Sequence, residues 1–123
     1  KQAERLQYLL AAKEMALRSL DLKDSILQAL MAVQAYRFNL VNDGSEYDID
    51  IFNALYGALI KFSDPLVKIL PPNLDMRDVK VKLKTKSMAE KLCSYLRRNM
   101  VLSEWNKFSS HLPYEATCPL NNK

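Results

Sequence analysis

Apolar residues in the first part of the chain recur every three or four positions, the spacing that places side chains on one side of an α-helix. In the segment 2–20 this spacing is followed by Leu6, Leu9, Leu10, Ala16, Leu17 and Leu20. A second apolar strip, on another side of the same segment and just beyond it, is formed by Tyr8, Ala12, Met15 and Leu22. A surface helix needs only one apolar side, so two strips predict a first helix that contacts two neighbours or protrudes toward a missing partner.

The next segment predicts the most central helix of the chain. Between about positions 22 and 40, apolar residues lie around most of the helical circumference, and Asp21 is placed to cap the start of the helix. The stretch 42–48 is polar and contains a glycine, which ends the pattern. Ser45 or Asp48 can cap a third helix, whose apolar residues again repeat at three and four positions. These residues are Phe52, Leu55, Tyr56, Leu59 and Phe62.

Prolines interrupt the helical pattern in the middle of the chain, since each lacks a backbone donor and fixes φ. They are Pro65, Pro71 and Pro72. Two short β-prone runs, the second alternating apolar residues with lysines, predict a short β-hairpin at 66–84. Ser87 precedes Glu90 by three residues, a capping-box pattern that opens a fourth helix. A fifth helix is predicted at about 102–110.

Length and composition limit the architecture. The 123 residues, 49% of them hydrophobic, suffice for one core but not for two independent ones. Only two glycines occur, which argues against repeated β architectures and phosphate-binding loops. We therefore predict a single all-α domain of about five helices over 1–123. It consists of opening helices at 1–63, a linker or hairpin at 64–86 and a closing segment at 87–123.

Residues that carry chemistry are few. His111 is the only histidine and has no carboxylate pair near it in sequence, so we assign it no catalytic or metal-binding role. Cys93 and Cys118 lack the Cys-x-x-Cys spacing of metal and redox sites. Spacing alone leaves open whether they form a disulfide or two buried free thiols. We expect no enzyme activity, no cofactor and no metal.

A basic run offers a different function. Between positions 80 and 98 lie seven basic residues and one acidic residue, Glu90, in a chain of net charge +4. The basic residues are Lys80, Lys82, Lys84, Lys86, Lys91, Arg97 and Arg98. Such a run can bind nucleic acid or an anionic membrane, but alternating lysines are also typical of the solvent side of an edge strand. We favour the second explanation and keep binding through Lys80 to Arg98 as an alternative function.

The closing segment carries a distinctive pattern. Its elements are Cys93, the letters RNM at 98–100, EW at 104–105, Phe108 and PYEATCP at 113–119. This pattern resembles the segment that follows the last blade in large bacterial WD-repeat β-propeller proteins. The chain departs from that pattern at Val101, where the family usually has a threonine that caps the helix; Asn99 is the candidate to replace that cap.

The opening segment at 3–62 resembles the helical stretch that precedes the propeller in the same proteins. The resemblance implies tetratricopeptide-like helical pairs, and a membrane-tethered signalling parent related to signal-transducing ATPases. About two dozen residues stand where a propeller would be, so the chain is a natural short relative or one from which the propeller was cut out; we favour the latter. The implied location is the extracytoplasmic side of the bacterial inner membrane, with the cytoplasm as the alternative.

The resemblance also suggests roles for particular residues. Trp105 and Phe108 are expected to anchor the closing segment among the opening helices, with Tyr114 and Cys118 holding its end. An oxidising compartment would favour the Cys93–Cys118 disulfide over free thiols. The implied function is a non-enzymatic scaffold or protein-protein interaction module of a signalling protein.

The partner of such a module is expected to be an unknown protein or the missing propeller, with a homodimer as an alternative. Nucleic acid is not expected, and a membrane only through an upstream segment. The second strip of the first helix, Tyr8, Met15 and Leu22, is the candidate partner surface, with burial inside the domain or in a dimer as the alternative.

Overall fold

A computed structural model describes residues 2–62, 84–109 and 112–119 of the chain. Five helices make up this part: α1 (Gln2–Ser19), α2 (Ser25–Val41), α3 (Ile49–Lys61), α4 (Thr85–Tyr95) and α5 (Leu102–Ser109). No strand occurs among these residues. The prediction of an all-α fold with about five helices is therefore confirmed. The predicted hairpin at 66–84 lies outside the described residues, apart from its last residue.

Two of the predicted helix starts differ from the observed ones. Asp24, and not Asp21, caps α2: its Oδ1 atom accepts hydrogen bonds from the backbone N–H groups of Ile26 and Leu27, at 2.9 and 3.2 Å. Asp21 instead lies in the turn after α1, where its own N–H donates to the carbonyl of Arg18. Both aspartates are of a residue type that caps helices, but Asp21 lies within the turn and Asp24 lies at the start of α2.

The capping box predicted at Ser87 and Glu90 does not form, because α4 already begins at Thr85. Its capping position is occupied by Lys84, which has an extended backbone and makes no side-chain capping bond. The predicted cap of α3 by Asp48 is confirmed, since its carboxylate accepts from the two N–H groups at positions 50 and 51.

The start of α5 has a cap despite Val101. The backbone N–H of Val101 donates to the carboxylate of Glu104 at 3.0 Å. This is one of the two hydrogen bonds of a capping box, and it uses only the backbone of the capping residue. Asn99, the predicted replacement, serves elsewhere: its Oδ1 accepts from the backbone N–H of Cys118 at 2.6 Å.

Helix α2 is central, as predicted, since it contacts α1, α3 and α4. The ring of Tyr8 on α1 meets Phe38 near the end of α2 edge-on, with 5.1 Å between ring centroids, as in an antiparallel helical pair. Helix α3 lies beside α1 and runs in the same direction. Lys13 Nζ is 3.0 Å from Asp50 Oδ2. Seven residues further along the chain from each of these, Leu20 lies beside Gly57 of α3.

The second predicted strip of α1 lies inside the domain, which was the alternative given for it, and the first strip is divided: Ala16 is buried and Leu9 half-buried, while its other leucines are exposed. Met15 of the predicted partner surface is buried, with 1% of its surface exposed, and Tyr8 and Leu22 are half-buried against the core. The outward side instead carries Leu6, Leu10, Leu17 and Leu20. Small residues explain the choice, because alanines lie among the buried positions of this helix and let neighbouring helices approach closely. These are Ala11, Ala12 and Ala16.

The connection between α2 and α3 depends on Gly44. Its N–H donates to the carbonyl of Asn39 at 2.7 Å, and a Cβ atom at position 44 would overlap the side-chain amide of Asn39. That amide is held in place because it donates to the carbonyl of Ser45 at 2.9 Å. We expect Gly44→Ala to lower the free energy of unfolding by about 1–3 kcal/mol, because Asn39 must move and lose this bond.

Urea denaturation of both glycine variants checks this expectation. Gly57→Ala is the matched control, since Gly57 lies inside α3 and a Cβ there meets the tip of the flexible Leu20 side chain at 3.0 Å and the Gln28 amide at an ordinary contact distance of 3.6 Å. Helix propensity favours alanine over glycine at such a site by about 1 kcal/mol. Equal destabilisation by both substitutions would contradict the role assigned to Gly44.

Candidate binding groove beside the disulfide

Trp105 anchors the closing segment in the core. Only 1% of its surface is exposed, and its indole N–H donates to the carbonyl of Leu112 at 2.9 Å. Its ring meets Phe38 of α2 edge-on, with centroids 5.9 Å apart, and Tyr114 on the other side at 5.1 Å. The indole therefore joins the opening helices to residues 112–119, which we call the strap.

The other two predicted anchors lie nearer the surface. Phe108 is half-buried and packs against the core, with Lys107 Nζ 5.5 Å from its ring centroid. Tyr114 is 45% exposed, but its hydroxyl donates to the carbonyl of Met100 at 2.7 Å. Trp105 is thus the most deeply buried of the three.

A set of polar bonds that the sequence did not reveal holds the strap on α2. Gln34 is fully buried, and its amide donates to Glu115 at 3.0 Å while accepting from the hydroxyl of Thr117 at 2.6 Å. Arg37 Nε, one turn further along α2, donates to the same carboxylate at 3.1 Å. In the sequence, Gln34 is simply a polar residue within the long apolar run of α2, and that run does not indicate its hydrogen-bond partners.

Cys93 of α4 and Cys118 of the strap form a disulfide across a sequence separation of 25. Their Cα atoms are 5.7 Å apart. Cys118 is buried, whereas Cys93 is half-buried. The bridge therefore joins the strap to α4, as the bonds of Gln34 join it to α2.

A groove runs between α2, α4 and the strap. Its volume is about 520 Å³, and the disulfide forms part of its wall. Most of the lining is apolar and includes Val33, Leu40, Ala89 and Pro119. Since one wall is the strap, the groove exists only while the strap stays in place.

Charges at the groove largely cancel. The guanidinium of Arg37 is paired with Glu115 at 3.1 Å. Lys86 and Glu90 lie one helical turn apart on the α4 wall. Burial, and to a lesser extent the nearby Glu90 carboxylate, raises the pKa of Tyr36. The groove is thus apolar with polar groups of balanced charge at its edge.

The basic run is described only in part, since Lys80 and Lys82 lie outside the described residues. Arg98 forms a bidentate ion pair with Glu104, with N–O distances of 2.8 and 3.0 Å. The hydrogen bond from Arg98 is the main cause that lowers the pKa of the Glu104 carboxyl. Arg98 is therefore committed to the start of α5, while Lys84, Lys86, Lys91 and Arg97 are exposed. Binding through this run stays a prediction.

His111 lies outside the described residues. Among residues 2–62, 84–109 and 112–119, no three side chains of histidine, cysteine, aspartate or glutamate converge on one point that could hold a metal ion. Within the same ranges, no helix has the length and apolar character needed to span a bilayer.

Comparison with protein-family models, with curated proteins and with solved structures found no match for this chain. The resemblance to the regions that flank a WD-repeat propeller therefore stays a prediction.

Proposed function

We propose that this chain is a non-enzymatic helical interaction module that binds an extended peptide segment in the groove between α2, α4 and the strap. The peptide carries apolar side chains and no net charge. The observation that carries this proposal is an open apolar groove with a wall fixed by a disulfide and by buried hydrogen bonds. A groove of about 520 Å³ lies within the roughly 300–1,000 Å³ range of ligand sites.

The charges at the groove support an uncharged occupant. Arg37 is paired with Glu115, and Glu90 lies one helical turn from Lys86, so the charges at the edge balance and a charged ligand would gain little net attraction. Within the described residues, only the Nε atom of Arg37 is engaged with Glu115, which leaves its terminal N–H groups for peptide carbonyls. Apolar peptide side chains would then cover Val33, Leu40 and Ala89.

The same proposal places the module in a bacterial WD-repeat signalling protein, as the helical regions on either side of the missing propeller. The closing segment packs into the opening helices. This packing supports the proposal, because two segments that flank a propeller in sequence would have to pack against each other to form one domain. The disulfide supports an extracytoplasmic location, since such bonds persist in oxidising compartments.

An NMR titration tests the groove: a capped Leu-Gln-Leu-Gln-Leu peptide is added to the isotope-labelled chain. We expect shift changes at residues of the groove, and at least a tenfold weaker affinity for Leu40→Glu, because a carboxylate would be buried against the peptide. Val41→Glu is the matched control: Val41 is also exposed, at 72%, but lies outside the groove. We expect its affinity to stay within about twofold of the parent.

Two results would overturn the proposal. One is the absence of shift changes around the groove at millimolar peptide. The other is an equal loss of affinity in both variants, which would indicate nonspecific attraction to exposed aliphatic residues.

A further inference from the structure

The outward side of α1, with the residue that follows it, carries a stripe of exposed leucines, namely Leu6, Leu10, Leu17 and Leu20, with exposed fractions of 54, 60, 47 and 45%. We call this set the leucine stripe. Together with Lys13 it follows the alternating spacing of four and three residues that defines the seam between two packed helices. Helix α1 already buries its opposite side in the core, so it has two apolar sides of which only one is covered.

The leucine stripe continues onto α3. Ile49 and Ile60 are exposed on this neighbouring helix, at 43 and 51%. Ile49 is next to Asp50, which bonds to Lys13 of α1, and Ile60 is next to Lys61, whose amine donates to the carbonyl of Leu22 just after the stripe. Aliphatic side chains are therefore exposed on each of two helices that pack side by side.

We propose that this surface of α1 and α3 binds a second copy of the same chain to form a two-fold symmetric dimer. The proposal is independent of the groove, whose walls include no residue of α1 or α3.

The size of the surface suits such a dimer. Helix α1 has 18 residues, and a helix of that length is about 27 Å long. Two helices packed about 10 Å apart are roughly 20 Å wide together, so the face is of the order of 500 Å². With the polar residues around it, this approaches the roughly 800 Å² that each partner buries in a stable complex.

The spacing along the stripe matches itself under a two-fold axis. Leu6 and Leu20 each lie seven residues from Lys13, and Leu10 and Leu17 lie three and four residues from it. An axis through Lys13 therefore brings Leu6 opposite Leu20 of the second copy in an antiparallel pair, and Leu10 within one residue, about 1.5 Å, of Leu17. The antiparallel pair is also the favourable arrangement of helix dipoles. An unrelated partner would need its own matching spacing, whereas a second copy already has it.

Lys13 is the one charged residue in this spacing and limits the affinity. The axis brings the two ammonium groups near each other, and each keeps its Asp50 carboxylate at 3.0 Å. Replacing Lys13 by leucine should therefore tighten the dimer instead of weakening it, because the seam becomes apolar throughout.

Sedimentation equilibrium of the full chain with its disulfide intact tests the dimer. We expect the mass to rise from one chain toward two between about 10 and about 500 µM. Lys13→Leu is expected to lower the dissociation constant about tenfold, and Leu10→Glu to raise it at least about tenfold. Leu102→Glu is the control: Leu102 is a leucine of matched exposure, 61%, outside the stripe, and its variant should stay within about twofold of the parent.

The dimer is supported if these variants change association in the stated directions. It is overturned if the parent chain stays monomeric over the whole concentration range, or if Lys13→Leu weakens association. Equal weakening by Leu10→Glu and Leu102→Glu would also overturn it, since association would then be general adhesion of exposed leucines. Circular dichroism of every variant shows whether the fold is intact.

Discussion

Replacing Trp105 by alanine is expected to lower the free energy of unfolding by about 4 kcal/mol, the largest effect of any single substitution considered for this chain. The indole is 1% exposed and lies between Phe38 and Tyr114, so its removal leaves a large cavity between α2 and the strap. It also removes the donor to the carbonyl of Leu112. A small domain has a total stability of only about 5–15 kcal/mol, so a measurable fraction of the variant should be unfolded near body temperature.

Urea denaturation followed by circular dichroism measures this loss. Leu102→Ala is the control in the same helix, since Leu102 is 61% exposed and its truncation should cost less than about 0.5 kcal/mol. A Trp105→Ala chain as stable as the control would show that the closing segment does not contribute to the core. The proposed pairing of opening and closing segments would then lose its physical basis.

The sequence predicted the number and type of helices because the relevant signals are local. The third helix shows this well: Asp48 caps it, and of its predicted apolar residues Phe52, Leu55 and Leu59 are buried, while Tyr56 and Phe62 are half-buried against the core. The anchor Trp105 was suggested by the resemblance, and its burial agrees with the general tendency of large aromatic side chains to lie in the core. The start of α2 was predicted wrongly, because Asp24 suits the cap as well as Asp21 and lies at the observed start.

The orientation of α1 could not be predicted from its own residues. Both of its strips are apolar with helical spacing, and the larger residues make the leucine strip look like the stronger core candidate. Which side is buried depends on how closely the neighbouring helices can approach, a property of α2 and α3 as much as of α1. Here the side containing alanines and Met15 is buried, and Leu6, Leu10, Leu17 and Leu20 are exposed.

The groove is likewise a product of tertiary contacts. No pattern in α2 alone indicates that Gln34 bonds to two residues more than 80 positions further along the chain. The pairing of Cys93 with Cys118 was a sequence hypothesis, but its place in the wall of a groove depends on where α4 and the strap meet α2. Sequence reasoning identified several residues of the site without identifying the site.

Loss of the disulfide is expected to lower the free energy of unfolding by about 3 kcal/mol, the value for closing a loop of about 25 residues. The variant with both Cys93→Ala and Cys118→Ala should show this loss in urea denaturation, and the parent chain with reductant should show a similar one. Mass measurement before and after reduction provides the check, since reduction of the bridge adds two hydrogens.

The strap should nevertheless stay in place in the cysteine variant under native conditions. Gln34, Arg37 and Asn99 still bond to it, and the indole of Trp105 still contacts both the strap and α2. Tryptophan fluorescence should therefore remain that of a buried indole until the urea midpoint, which moves to lower concentration. A red-shifted emission without urea would show that the disulfide alone holds the strap, and an unchanged midpoint would show that the bridge contributes no stability. The first result would also make peptide binding in the groove dependent on oxidation, because the groove loses a wall whenever the strap detaches.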